Sequence, residues 1–168
     1  MRSMPRQTPL VFAFAFVVAC NGWFPLLPDT RTPADRAHAM ATKCERESEA
    51  QASPALAPSL VESVEPAYST VPSGNDRAIR LRGARLHLRP TLNVSAQALE
   101  RTLECHQARV TLGDSPETVD DPYMLRGAWL DIDVDSTGDG LVASVLASDF
   151  DDARRVLDRA RSFVATHR

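Results

Sequence analysis

Residues 130–147, with the sequence LDIDVDSTGDGLVASVLA, decide the fold of this chain. At the start of the stretch, apolar and acidic side chains alternate with the two-residue period of a half-buried strand. The apolar members are Leu130, Ile132 and Val134, and the acidic members are Asp131, Asp133 and Asp135. Residues 136–140 have the Ser, Thr, Gly and Asp content of a tight turn, so residues 141–147 are predicted to return as a second strand.

Helical patterns lie on both sides of this hairpin. Ser95 is a suitable N-cap and Gly113 a suitable left-handed stop, which predicts a helix that ends at Leu112. Its apolar face has the spacing i, i+4, i+7 and i+11, and consists of Leu99, Leu103, His106 and Val110. After the hairpin, Ser148 or Asp149 is predicted to cap a final helix with the apolar stripe Ala153, Val156, Leu157, Ala160, Phe163 and Val164.

A further strand is predicted before the first of these helices. Its apolar residues Ala84, Leu86 and Leu88 alternate with the basic residues Arg85, His87 and Arg89. Pro90 is expected to end the strand. If this strand neighbours the aspartate strand, the two charged rows pair across the sheet. The functional alternative is an anion-binding strip for lipid headgroups or polysaccharide.

The predicted order β-α-β-β-α over residues 76–168 gives an α+β domain. Its simplest packing places two helices on one face of a three-stranded sheet. The order resembles a ferredoxin-like fold that lacks its last strand, and this likeness of topology implies no function.

Residues 20–75 have a different composition, with many Pro, Ala, Ser, Thr and Glu residues. Such a segment cannot bury enough apolar surface to fold alone, so it is predicted to be a disordered tether. Within it, residues 34–52 lack Pro and Gly and are rich in Ala, Glu and Arg, which permits an isolated helix without an apolar stripe.

The first 19 residues have the features of an export signal. Arg2 and Arg6 precede an uninterrupted apolar run over residues 10–19. A charged start followed by a short apolar core is typical of a secretory signal, and the run is shorter than the about 20 residues of a spanning helix. The alternatives are an ordinary secreted protein and a signal anchor that extends the run towards Leu27.

The run ends in Val17-Val18-Ala19-Cys20, which resembles the lipobox of bacterial lipoproteins. The resemblance implies cleavage before Cys20, diacylglycerol on its thiol and an anchor in the cell envelope. Asn21 stands where an inner-membrane retention signal would have Asp, which favours the periplasmic or surface face of the outer membrane. The membrane, through Cys20, is therefore the one partner that the sequence identifies by type.

Charge excludes one class of partner. Removing residues 1–19 removes two arginines and no acidic residue, so the net charge changes from −3 to −5. Nucleic-acid binding depends on a clear positive excess, so no nucleic-acid partner is predicted.

Lipidation of Cys20 would leave Cys44 and Cys105 as an even pair in an oxidising compartment. A single disulfide is favoured, with two free thiols as the next interpretation and metal ligation as the third. A zinc or copper site would combine His106 with Cys105 or His87. The favoured interpretation of His106 is a core residue that donates to a backbone carbonyl.

The aspartate row does not match a calcium loop, because an EF-hand needs Gly and Glu where this chain has Ser136 and Val142. The motifs of serine hydrolases, P-loop proteins, zinc proteases and dinucleotide-binding proteins are also missing. We therefore expect a non-catalytic envelope lipoprotein, with an interaction or accessory domain for an unidentified protein or envelope partner and without a cofactor. The alternatives are a periplasmic zinc- or copper-binding protein and a small hydrolase.

Overall fold

The computed structural model of the chain describes residues 30–44, 57–73, 76–89, 94–116 and 118–166. The predicted leader, 1–19, and the predicted lipidation site, Cys20, lie outside these ranges. Within them, no helix has the length and apolar character needed to cross a bilayer.

The described residues confirm the α+β class but differ from the prediction in detail. The elements are α1 (Pro33–Cys44), a 3-10 turn (Pro58–Leu60), β1 (Val61–Ser73), β2 (Asp76–Leu88), α2 (Ala96–Leu112), β3 (Asp131–Thr137), β4 (Gly140–Leu146) and α3 (Phe150–Ala165). The strands form one antiparallel sheet in the order β1-β2-β4-β3. The sheet therefore has four strands where three were predicted, and the described part of the chain has three α-helices where two were predicted.

The predicted hairpin is confirmed, and its strands take unequal positions. β3 and β4 pair from Asp131 with Leu146 to Thr137 with Gly140. β4 also pairs with β2, so it lies inside the sheet while β3 forms an edge. The inner position of β4 and the edge position of β3 follow from their composition, because β4 carries apolar residues on both faces and β3 carries aspartates on one.

β1 is the main error of the sequence prediction, which placed this segment in the tether. Its composition includes Pro66 and Pro72, and a proline cannot donate a hydrogen bond to a neighbouring strand. β1 pairs with β2 alone, along a register that runs from Val61 to Ser73. An edge strand tolerates proline where the backbone nitrogen faces away from its partner, which explains why a Pro-containing segment forms a strand here.

α2 begins and ends where its sequence predicted. The Ser95 hydroxyl accepts a hydrogen bond from the Ala98 N–H, and Gly113 ends the helix with a φ of 84°. On the buried side, the Gln107 side chain donates to the Leu130 carbonyl at 3.0 Å and accepts from the Leu130 N–H at 3.1 Å. This amide therefore satisfies both polar backbone groups of the residue that precedes β3.

α2 and α3 cover one face of the sheet, as predicted. α2 lies over β3, and α3 lies over β1 and β2. One apolar core joins the layers and includes Leu99, Leu103, Val156 and Ala160 from the helices and Leu86, Ile132, Val134 and Val145 from the sheet. Asp149, one of the two predicted caps, accepts a hydrogen bond from the Asp152 N–H at 2.8 Å at the start of α3.

α1 is not the isolated helix that the sequence permitted over 34–52. It packs against α2 and buries Ala37 and Cys44, while residues 45–52 lie outside the described ranges. Thr32 and Asp35 form a reciprocal cap, in which Asp35 N–H donates to the Thr32 hydroxyl at 3.2 Å and Thr32 N–H donates to the Asp35 carboxylate at 3.0 Å. The hydrogen bonds from Thr32 lower the pKa of Asp35.

The β1–β2 hairpin is longer than the rest of the sheet. β2 pairs with β4 only between Gly83 and Leu88. Beyond Gly83, residues 68–73 and 76–81 continue as a two-stranded extension, which we call the ribbon. A shift in register leaves Arg82 without a partner in β1 and marks the point where the ribbon leaves the sheet.

Candidate functional site

Cys44 and Cys105 form a disulfide that joins the end of α1 to the middle of α2. The sulfur atoms are 1.95 Å apart and the Cα atoms 5.7 Å apart. Cys105 is fully buried. Because both sulfurs are bonded to each other, neither is a thiolate that could bind a metal or attack a substrate.

His106 lies beside a carboxylate that the sequence prediction missed. Its Nε2 is 2.5 Å from Oδ2 of Asp121, whereas a backbone carbonyl was expected as partner. Oδ1 of the same carboxylate accepts a hydrogen bond from the Tyr123 N–H at 2.9 Å. The side chains of His106 and Asp121 are 14% and 7% exposed, so the pair is largely shielded from water.

The pair lies in the wall of a cavity of about 490 Å³ between α2, α3 and the loop that follows α2. Tyr123 and Phe163 form another part of this wall, with their rings edge to face and 6.1 Å between centroids. Burial, and secondly the charge of Asp121, raise the pKa of Tyr123 well above its usual range. The cavity therefore combines an aromatic wall with a carboxylate-bound imidazole.

This arrangement is chemically incomplete for nucleophilic catalysis. A carboxylate that binds imidazole can fix its orientation and tautomer, as the acid of a catalytic triad does. Such a base also needs a hydroxyl or thiol within hydrogen-bond reach. In the described ranges Asp121 is the side chain that His106 contacts by hydrogen bond, and both cysteines are bonded to each other. The geometry suits the binding of a small molecule better than covalent catalysis.

His87 lies on the opposite side of the sheet from the helices. It alternates with Leu86 and Leu88, which are buried in the core, so its side chain points to the other face. Its Nε2 is 3.4 Å from Oε2 of Glu65 on β1. The predicted metal set of His106, Cys105 and His87 is therefore not brought together, and the described residues contain no other group of three metal-ligating side chains.

The two charged rows of the sheet do not pair with each other, because β4 separates β2 from β3. The basic row lies beside carboxylates of β1 instead. Nε of Arg89 is 3.5 Å from Oε1 of Glu62. On the other edge, Asp131 lies 3.7 Å from Arg36 of α1. The acidic residues of β1 weaken the case for an anion-binding strip, since they place negative charge beside the basic row.

The strand predicted over 84–88 thus has the predicted face pattern, and the condition for pairing of the charged rows, that β2 neighbours β3, is not met. Asp121 could have been suspected from the acidic loop between α2 and β3, but nothing in its spacing pointed to His106.

No protein-family model, no curated protein and no solved structure matches this chain.

Proposed function

We propose that the protein is an envelope lipoprotein, anchored through acylated Cys20, whose folded unit is a non-catalytic interaction module. The observation that carries the proposal is the pairing of cysteines. The chain has three cysteines, and the disulfide between Cys44 and Cys105 uses two of them. The third is Cys20, which ends the lipobox-like segment.

The disulfide also bears on location. Structural disulfides form in oxidising compartments such as the bacterial periplasm and are rare in the cytosol. An export signal at the start of the chain and a disulfide within the fold therefore support the same compartment.

The position of α1 shortens the connection between the proposed anchor and the folded unit. The folded unit starts at Arg31, which is eleven residues after Cys20. Eleven residues span at most about 40 Å when fully extended. The disulfide fixes α1 to α2, so the module is held close to the membrane rather than at the end of a long tether.

The anchor is tested by the intact mass of the full chain extracted from membranes. We expect a mature mass that begins at Cys20 and includes acyl chains, with a gain of two hydrogens on reduction. Cys20→Ser should remove the acyl mass and release the protein from membranes. The double variant C44S/C105S is the matched control, because it removes two cysteines and should remain acylated. An unmodified mass in the native chain would overturn the proposal.

A small hydrolase is the second candidate, because the His106–Asp121 pair lines a cavity large enough for a small ligand. Its base would be His106, oriented by Asp121, and its nucleophile would be water. This candidate is tested by hydrolysis of p-nitrophenyl acetate by the full chain. If it is correct, His106→Ala lowers the rate by about 100-fold or more, and His87→Ala on the opposite face leaves it unchanged. Equal rates for the two variants would exclude His106 as the base.

A further inference from the structure

One end of the sheet carries most of the large apolar side chains that the described residues expose. Tyr68 and Ile79, on the ribbon, are 60% and 77% exposed. Phe150, the first residue of α3, is 47% exposed and follows β4 where that strand ends. Tyr68 pairs with Leu81, and Thr70 pairs with Ile79. Because side chains alternate along a strand, Tyr68 and Ile79 lie on the same face of the ribbon.

The ribbon is also basic. It carries Arg77 and Arg80, both exposed, and Asp76 is its one described acidic residue. The ribbon thus has a positive excess in a chain whose net charge is −3. Aromatic and aliphatic side chains next to arginines are typical of surfaces that meet anionic lipid headgroups.

The chain enters the folded unit at the same end of the sheet. Arg36, in the first turn of α1, lies 3.7 Å from Asp131. Asp131 pairs with Leu146, which pairs with Gly83. This row of residues is the edge from which the ribbon projects, so the start of α1 and the ribbon share one end.

Lengths then limit how the folded unit can be placed. From Gly83 to Asp76 the ribbon extends about 23 Å beyond the sheet. The eleven residue steps from Cys20 to Arg31 span at most about 40 Å, and a less extended path brings the unit closer. Since both features lie at one end, an anchor at Cys20 keeps the start of α1 within about 40 Å of the bilayer, and a ribbon of about 23 Å covers more than half of that distance.

We propose that the face of the ribbon that carries Tyr68, Ile79 and Arg77 rests on the anionic phospholipid surface to which the protein is anchored. The inference depends on the proposed anchor at Cys20. We assign a bilayer rather than a partner protein as the occupant, because the connection to Cys20 spans at most about 40 Å and Arg77 lies on the same face as Tyr68 and Ile79. The lipid chains hold the protein at the membrane, and the ribbon orients it there.

The test places a fluorescent probe on the ribbon of the lipidated full chain in phosphatidylglycerol-containing vesicles. Ile79→Cys supplies the site, and Val94→Cys is the matched control, because Val94 is also exposed (40%) and precedes α2 away from the ribbon. With Cys20 acylated and the other two cysteines bonded, the introduced thiol is the one that reacts. Thr70→Cys, opposite Ile79 on the ribbon, is a second site.

We expect brominated phospholipids to quench the probe at position 79 at least threefold more than the probe at position 94. Arg77→Ser should halve that quenching. Arg80→Ser is the matched control, because Arg80 pairs with Ser69 and lies on the opposite face of the ribbon. Neither Arg80→Ser nor Arg154→Ser on the outer face of α3 should change the quenching. Brominated phospholipids in neutral phosphatidylcholine vesicles should quench the ribbon probe less than the same lipids in phosphatidylglycerol-containing vesicles.

Other outcomes separate the inference from the anchor. Equal quenching at positions 79 and 94 in an acylated protein that floats with vesicles overturns the ribbon contact alone. Shielding of position 79 from aqueous iodide without quenching by lipid identifies a protein partner or a second copy, and also overturns it. A protein that neither floats nor carries acyl mass overturns the anchor, and the ribbon contact with it.

Discussion

The two halves of the β1–β2 hairpin both carry large aliphatic residues on β2, but these residues have different surroundings. In the half nearest the sheet, Leu86 is fully buried beneath the helices. In the ribbon, Ile79 on the same strand is 77% exposed. Both are large aliphatic residues in an alternating pattern, so the difference comes from the reach of the helix layer. An apolar side chain in a strand becomes core only where another element covers it.

The largest effect on the free energy of unfolding should come from truncating an apolar residue in the covered half of the hairpin. The same truncation in the ribbon should have little effect. Leu86→Ala removes fully buried atoms and should lower the free energy of unfolding by about 3 kcal/mol. Ile79→Ala, the matched change in the ribbon, should lower it by less than about 0.5 kcal/mol. Urea unfolding of the full chain, followed by circular dichroism, measures both. Similar losses would mean that the ribbon is covered by protein in solution.

The boundary between the halves should be the next most sensitive point. Gly83 has a φ of +149°, and a Cβ there would lie 2.0 Å from the Val145 carbonyl oxygen. Gly83→Ala therefore forces β2 and β4 apart where the ribbon begins, and should lower the free energy of unfolding by about 2 kcal/mol or more.

Gly138 supplies the control for this boundary. A Cβ at this residue of the β3–β4 turn would meet no atom within 4 Å. Gly138→Ala should change the same unfolding measurement by less than about 0.5 kcal/mol. If the two alanine variants were equally stable, the close approach of Gly83 to β4 would not be a requirement of the fold.

A smaller effect is expected at the N-cap of α3, the helix that lies over β1 and β2. Asp149→Ala removes the acceptor for the Asp152 N–H and should lower the free energy of unfolding by about 1 kcal/mol. Asp151→Ala is the control, since Asp151 is exposed on the first turn and is not the cap.

The cap also predicts a dependence on pH. The backbone hydrogen bond from Asp152 is the main cause that lowers the pKa of Asp149. A carboxyl with a lower pKa in the folded state stabilises the fold above its unfolded pKa of about 3.9 and loses that effect as pH falls through the folded value. The difference between the native chain and Asp149→Ala should therefore be full at pH 7 and shrink below about pH 4. Urea unfolding of both proteins at a series of pH values measures this difference in the free energy of unfolding. A difference that stays constant with pH would show that the charge of Asp149 does not contribute to the cap.

The sequence predicted the local elements well where a cap or a period determines them. The boundaries of α2 follow from Ser95 and Gly113, and the β3–β4 hairpin follows from alternation around a glycine turn. β1 escaped prediction because Pro66 argues against a central strand, and its edge position could not be known in advance. The contact between His106 and Asp121 was not predicted for a related reason. Asp121 is fifteen residues away, in a loop whose side chains do not repeat at the period of a helix or a strand.

The sequence by itself determined which segments are strands and helices wherever side chains repeat at the period of the backbone. It also contains the three cysteines and the apolar run that ends at Cys20, from which the disulfide and the anchor were predicted. Tertiary structure alone decided that β4 lies inside the sheet, that α1 is bonded to α2, and that Asp121 meets His106. It also decided that the ribbon extends beyond the helices, at the end where the chain enters the fold. The physical reason is that local preferences act over one or two turns of chain, whereas burial depends on which distant segments cover one another.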